Sequence, residues 1–387
     1  MKLLGLRLRQ FRAHADSAIE FAPAVNLLYG PNGAGKTNVI EAIHYLGLGR
    51  GPFASSDSPV LQRGAAFFEV EGTLEPDRGG SLRIRVAYVP GSGKRAFVNG
   101  APLDRLADLV GRAPVVSLSP ADHALTAGGP EERRRFLDAT LAQAAPAYLQ
   151  DLLGYRRALR QRNALLEGTR RHRPAGDELA AWDAELVRLG ARVIERRRRF
   201  MADFGPFVAE AFTLLGLEKE LPAMEYRTVA SLDGIAGEPA VADLFRAALA
   251  GVARREPARG RTLVGPHLDE VVLRLNGFEV RPFASQGQHR AFGLALRLAS
   301  FLFLRDRTEE TPLLLLDDAF GPLDELRSRT VLDLLASDVV GQSVVTAARP
   351  EPFREIIPFD GKRHLAIEIA NGSVVASSRS ESPPRTA

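Results

Sequence analysis

Eight consecutive residues, Gly30-Pro31-Asn32-Gly33-Ala34-Gly35-Lys36-Thr37, place three glycines, a cation and a hydroxyl in the order that cradles a polyphosphate. Glycine lets the backbone turn so that successive amides face an anion, the lysine adds charge, and the threonine hydroxyl suits magnesium. Val25–Tyr29 before the loop reads as a buried strand and Asn38–Leu48 after it as a helix, the context this loop requires. Far downstream, four leucines, Leu313–Leu316, end in Asp317-Asp318. An aspartate closing a buried strand can hold the same magnesium from the other side, and together the segments read as the two edges of one ATP site. Taken singly, the glycine-rich turn could be only a turn and Asp317 only a strand end.

A third segment narrows the chemistry. Ser285-Gln286-Gly287-Gln288 opens a helix ahead of the Asp-Asp pair, and Phe320-Gly321-Pro322-Leu323-Asp324 follows it. This order resembles the ATP-binding-cassette heads. There, a Ser-x-Gly-Gln turn meets the γ-phosphate of a nucleotide held by a second subunit, since a hydroxyl, a glycine and free helix amides all suit an anion.

At 387 residues with 45% hydrophobic content, the chain exceeds one ordinary core, which implies one large domain with an insertion, or two domains. It has no cysteine, which excludes disulfides and thiol-ligated metals and fits a reducing compartment. Lys2, Arg7 and Arg9 break the first apolar stretch and Arg297 another, so neither a signal peptide nor a membrane span is expected. The net charge is only +4, yet Glu131 to Asp203 holds 16 arginines against 11 acids. Such runs could meet DNA phosphates, with Arg134, Arg157, Arg173 and Arg198 as candidates, or could be helix faces balanced by Glu185, Glu195 and their neighbours. The runs lack interleaved aromatics, so contacts to phosphate rather than to bases are expected.

The elements that must position these residues fall in three stretches. Residues 1–118 carry strand patterns, Pro130 to about Leu217 carries leucine, alanine and arginine at helical spacing, and strands return after Thr262 around two helices, Gln288–Arg305 and Glu325–Ala336. The expected fold is α/β. A phosphate-loop ATPase head of cassette type spans residues 1–118 and 258–372, split by a helical insertion at 119–257, and a serine- and proline-rich tail at 373–387 is expected to be disordered.

Nearly the whole chain resembles the RecF family of bacterial recombination mediators, cassette-type relatives of the SMC proteins. The resemblance rests on Leu8-Arg9-Gln10-Phe11-Arg12, Gly30 to Thr37, Leu118-Ser119-Pro120-Ala121-Asp122 and Pro130-Glu131-Glu132-Arg133-Arg134-Arg135-Phe136-Leu137-Asp138. Further matches are Tyr155 to Leu159 with Arg160-Gln161-Arg162-Asn163, Val264-Gly265-Pro266-His267, Ala284 to Gln288, and Leu315 to Asp318. It implies a cytoplasmic, nucleoid-associated protein with ATP and Mg2+ as cofactors. It also implies an ATP-dependent homodimer on double-stranded DNA at single-strand gap junctions, slow ATP hydrolysis, and help in loading RecA with RecO and RecR. By position, Gly30 to Thr37 and Arg12 bind ATP, Thr37 and Asp317 hold the metal, and Asp318 with Lys36 is catalytic. In the same way Ser285, Gln286, Gly287 and Gln288 complete the partner's site, and Asp324 lies near the dimer interface.

Departures from the family pattern exist. Ala347 stands at the switch position, Ser119–Asp122 lacks the magnesium-sensing glutamine of many cassettes, and Leu268-Asp269-Glu270 follows the Gly-Pro-His, leaving His267 either a family role or a structural one. A transporter-type ATPase subunit without DNA binding would share the nucleotide motifs but usually carries the missing switch histidine. A lone phosphotransferase would not explain Ser285–Gln288.

Overall fold

Val25–Tyr29 is buried along almost its whole length, the mark of a strand enclosed in a parallel sheet rather than one with a wet face. In the computed structural model, which describes residues 1–51, 56–168, 176–232, 234–235, 237–318, 320 and 325–378, that strand lies inside the first of two compact units. This unit comprises Met1–Asp122, Glu210–Glu218 and Arg290–Ala387. The second comprises His123–Ala209 and Lys219–His289.

In chain order the elements are β1 (Lys2–Phe11), β2 (His14–Glu20), β3 (Val25–Tyr29), α1 (Lys36–Leu48), β4 (Phe68–Glu75), β5 (Leu82–Val89), β6 (Gly93–Val98), β7 (Ala101–Pro102) and β8 (Val115–Leu118). Then come α2 (His123–Ala127), α3 (Pro130–Ala144), α4 (Pro146–Gly168), α5 (Gly176–Leu214), β9 (Pro222–Arg227), α6 (Glu238–Val252), α7 (Glu256–Arg259), β10 (Glu270–Leu275), β11 (Phe278–Glu279) and α8 (Val280–Phe283). The last are α9 (Gln286–Thr308), β12 (Leu313–Leu316), α10 (Glu325–Ala336), β13 (Ser343–Ala347), α11 (Glu351–Arg354), β14 (Leu365–Ala370) and β15 (Ser373–Ser377).

The first unit holds two six-stranded sheets, an antiparallel one in the order β2-β1-β4-β5-β6-β7 and a mixed one in the order β15-β14-β3-β13-β12-β8. Helix α1 buries ten of its 13 residues in a core that draws on both sheets. It contributes Val39, Ile43 and Leu46, which share that core with Leu3 and Val70 from one sheet and Leu315, Val344 and Ile367 from the other. A helix apolar on nearly every side has to be enclosed in this way. Phe11, Tyr45 and Phe68 meet edge to face at 5.4–5.5 Å and fix the helix against the antiparallel sheet. Gly72 gives the helix room, because a Cβ there would lie 2.3 Å from Leu46 Cδ1.

The second unit is mostly helical, with a three-stranded sheet in the order β11-β10-β9. Among the described residues its interior holds three buried arginines, Arg133, Arg162 and Arg197, of which the last two make the densest networks. Arg197, 2% exposed, donates to Asp138 Oδ1 at 2.8 Å, Asp269 Oδ2 at 2.9 Å and the Pro266 carbonyl at 2.6 Å. Arg162, 1% exposed, donates to Glu256 Oε2 and Asp183 Oδ1 at 2.6 Å and to Thr262 Oγ1 at 2.9 Å. Burying a charge is costly unless it is paired, and Arg162 and Arg197 are both paired with carboxylates.

Two sequence expectations are corrected. Residues 258–289 do not rejoin the head: β10 pairs antiparallel with β9, from Glu270 opposite Arg227 to Leu275 opposite Pro222, so the returning strand completes the insertion's own sheet. Residues 119–122 and 210–218 conversely belong to the first unit. Disorder is also not what residues 373–377 show, because Ser373–Ser377 forms β15 against β14 with Val374 opposite Ile369, while residues 379–387 lie outside the described residues. A short strand on a sheet edge needs little apolar pattern, so serines there read as disorder in the sequence.

Candidate nucleotide site

The phosphate loop joins β3 to α1, with Gly30 at φ +143°, Gly33 at +80° and Gly35 at +107°, left-handed values that side chains rarely adopt. Lys36 is 6% exposed and folds back on the loop, donating from Nζ to the carbonyls of Gly30 at 2.8 Å and Pro31 at 3.0 Å. Its position at the first turn of α1 sets it among amides that lack partners within the helix, so cation and helix end favour the same anion.

Parallel pairing of β3 with β13, and of β13 with β12, brings the Asp-Asp pair beside the loop. Thr37 Oγ1 donates to Asp317 Oδ1 at 2.9 Å, and Thr346 Oγ1, near the end of β13, donates to the same oxygen at 2.8 Å. Burial raises the Asp317 carboxyl above its usual range; the two threonine hydroxyls and Lys36 work against this, and neighbouring Asp318 works with it. Asp318 is exposed, with φ +48° and its amide on Thr346 Oγ1 at 3.0 Å. A left-handed aspartate held by a specific hydrogen bond is strain of the kind that collects at functional sites. The oxygen set of Thr37 and Asp317 suits magnesium, which takes a few protein oxygens and completes its shell with water and phosphate. Among the described residues no group of three or more His, Cys, Asp or Glu could hold a metal unaided.

The back of the loop is clamped by two turns that the motifs do not announce. His14, fully buried at the start of β2 just after the turn from β1, sets Nε2 3.1 Å from the Gly35 carbonyl and Nδ1 3.0 Å from Ser17 Oγ. A carbonyl can only accept, so Nε2 carries the proton, and burial holds the ring pKa below its ordinary value. Ser17 Oγ also reaches the Gly372 carbonyl at 2.8 Å, and the Gly372 amide donates to the Ala34 carbonyl at 2.9 Å. Close approach is literal here: a Cβ on Gly372 would lie 2.0 Å from the Ala13 carbonyl oxygen, and one on Gly30 would lie 2.2 Å from that of Ile369.

Other sequence candidates are placed as follows. Arg12 makes a two-pronged pair with buried Glu41 at 2.8 and 2.9 Å and reaches the Pro59 carbonyl at 3.0 Å. In the second unit Ser285 and Gln288 form a reciprocal helix cap: the Gln288 amide donates to Ser285 Oγ at 3.2 Å and the Ser285 amide to Gln288 Oε1 at 3.0 Å. Ser285 and Gln286 are exposed. Asp324 and Arg173 lie outside the described residues. Arg134 is half-buried and donates to the Asp269 carbonyl at 2.5 Å, Arg198 is held by Glu195 at 2.8 and 2.9 Å, and Arg157 is exposed. His267 is half-buried, with Nδ1 2.7 Å from Tyr155 Oη, and burial lowers its pKa to about 4.

Comparison with known proteins turns this geometry into a lineage. Residues 2–361 match the family described as the RecF/RecN/SMC N terminal domain. A DNA replication and repair protein RecF of Salinibacter ruber is 50% identical over 379 residues, 97% of this chain and 92% of the relative. The chain belongs to the RecF family. The RecF of Chloroherpeton thalassium is 40% identical, over 96% of this chain and all of its own length. Solved structures of the recombination mediator RecF in the RecFOR pathway, one with ATPrS and one with ATP, align with TM-scores of 0.88 and 0.87 at 28% identity, over 96% of this chain and 97% and 96% of theirs. An SMC head from Pyrococcus furiosus, at 16% identity and a TM-score of 0.55, shares the fold. The RecF relatives and their structures support the cassette-type ATPase head expected from the motifs, and among the described residues no helix is long and apolar enough to cross a membrane.

Proposed function

We propose that this chain is an ATP-switched DNA-repair mediator: ATP joins two copies on double-stranded DNA at single-strand gaps, and slow hydrolysis lets them part. The observation that carries this reading is the meeting of Thr37, Asp317 and Thr346 beside the phosphate loop, two oxygens of segments 280 residues apart held at 2.9 Å. Lys36 exchanges its loop carbonyls for phosphate oxygens, and the amides at the start of α1 take the others. The Thr37 hydroxyl and Asp317 would hold magnesium, which would supply charge neutralisation. Asp318, exposed and fixed by Thr346, orients the attacking water.

Ser285 of one copy faces the γ-phosphate bound by the other. Its oxygen is taken by the Gln288 amide, which leaves the hydroxyl hydrogen to donate. A triphosphate is therefore gripped better than a diphosphate, and this difference in affinity drives the switch. Arg12 reaches the nucleotide only by leaving Glu41. RecFs with solved structures are placed in the RecFOR pathway; by analogy this chain works with RecO and RecR to help load RecA.

The test measures self-association and duplex-DNA binding with and without ATP for the wild type, Lys36→Met, Ser285→Arg and Asp318→Asn. The reading expects an ATP-dependent dimer on DNA, lost in the first two variants and prolonged in the third. A chain that stays monomeric and ignores DNA whatever the nucleotide would refute it.

A further inference from the structure

Most arginines of the second unit are already neutralised. Arg135 pairs with Glu131 and Glu132, Arg188 and Arg198 with glutamates one helical turn back, Arg196 with Asp151, and Arg197 and Arg162 are buried among carboxylates. A charge beside its counter-charge adds little to the field a polyanion feels. Arg157 and Arg160 on α4, with Arg254, Arg255, Arg259 and Arg261 around α7, differ: all six are exposed, and none of their side chains makes a hydrogen bond or ion pair among the described residues.

The last four fall within eight residues. The one acid among them, Glu256, is 1% exposed and bound to Arg162. That pair docks α7 on α4, helped by the Thr262 amide and hydroxyl on Asn163 Oδ1 at 2.8 and 2.7 Å. Gly260, between Arg259 and Arg261, lies against the last turn of α4, where an added Cβ would be 3.7 Å from Glu167 Cα. Arg157, Arg160, Ala164 and Glu167 recur at helical spacing and are all exposed, so the arginines of α4 share the outward stripe that ends beside Gly260. Along this stripe Arg157 and Arg160 are separated by about 4.5 Å and Arg160 and Glu167 by about 10 Å. Glu167 is its single acid.

We propose, resting on the DNA reading above, that this cluster of six arginines is the surface that takes the sugar-phosphate backbone of duplex DNA. Like charges held together unneutralised repel one another, and a polyanion removes that repulsion. The cluster is a surface stripe rather than a pocket, which suits an extended backbone better than a small anion. Among the described residues of the second unit, the exposed large aromatics Phe278 and Phe283 lie in β11 and α8, not in α4 or α7. Without aromatic platforms the stripe has no means of stacking unpaired bases, which favours duplex over single strand.

The experiment uses the full chain with ATP and a fluorescent blunt duplex, and compares the salt dependence of affinity for the wild type, the quadruple variant Arg254→Gln, Arg255→Gln, Arg259→Gln, Arg261→Gln, and the control pair Arg135→Gln, Arg198→Gln. Each lost phosphate contact lowers the slope of log K against log salt by about 0.9, so the quadruple variant should lose about 3 to 4 units of slope and the control less than 1. ATP-dependent self-association should be unchanged in both, which shows that the fold is intact. A quadruple variant with wild-type slope and affinity overturns the surface and leaves the proposed function standing. A wild type that binds no duplex removes both. Normal duplex binding together with lost association with polyglutamate also overturns it, in favour of an acidic protein partner.

Discussion

Replacing Gly372 with alanine probes the clamp behind the phosphate loop without touching any residue of the nucleotide motifs. Two costs add. Gly372 sits at φ +71°, where a side chain costs about 1–2 kcal/mol. The new Cβ would also fall 2.0 Å from the Ala13 carbonyl oxygen, a backbone atom that cannot swing aside, and forced repacking of this kind costs about 1–3 kcal/mol. Gly79→Ala is the matched control, because Gly79 has φ +85° and open space where its Cβ would go. The expected destabilisation is therefore about 2–5 kcal/mol at Gly372 against about 1–2 at Gly79. The clamp also predicts a second difference. Moving Gly372 disturbs its amide bond to Ala34 and its carbonyl bond to Ser17, so the loop loses its shape and nucleotide affinity falls. Urea unfolding with and without ATP reads both effects, since saturation at 100 times Kd stabilises the native state by about 2.7 kcal/mol. If Gly372→Ala loses no more stability than Gly79→Ala and keeps the full stabilisation by ATP, the turn is a bystander and the reasoning fails.

Two further outcomes follow from buried groups. Both ring nitrogens of His44 are buried without a partner among the described residues, and burial lowers its pKa to about 3, so the unfolded chain takes up its proton first: this contribution to stability is whole above pH 6.5 and is lost as pH falls towards 3, at about 1.4 kcal/mol per unit. Acid unfolding of His44→Phe, measured from pH 7 to 4, should show a shallower slope than wild type. Arg162→Met leaves Glu256 buried and unpaired and should cost about 3–5 kcal/mol, whereas Arg135→Ala on the exposed face of α3 should cost less than about 1, and comparison of their unfolding midpoints checks this.

The sequence made the chemistry of the loop legible because its requirements are local: three glycines, Lys36 and Thr37 must be contiguous to do the work, and Asp317 announces itself by closing a buried strand. His14, Ser17 and Gly372 could not be read in this way. Ser17 and Gly372 are separated by 355 residues, and either turn alone looks like any other until the sheet order brings them together. Charge was only partly legible for a related reason. Arginines can be counted in a sequence, but their partners depend on packing, so the runs at 133–135 and 196–199 stood out while the unpaired group at 254–261 did not. The same holds for β10, whose apolar pattern fits a strand in either unit; only its ladder with β9 decides between them.

The placement of β3 has a consequence for how the protein comes into being. Its neighbours are β13 on one side and β14 on the other, so residues 25–29 take their hydrogen bonds from residues 343–347 and 365–368. On the ribosome the phosphate loop emerges long before the strands that fix it. Such distant pairings form slowly and only after long loops close. A chain halted before β13 carries every residue of the glycine-rich motif and still lacks the site. Competence to take nucleotide thus reports that synthesis has passed β13 and β14, and the nucleotide site cannot be armed by a shorter copy.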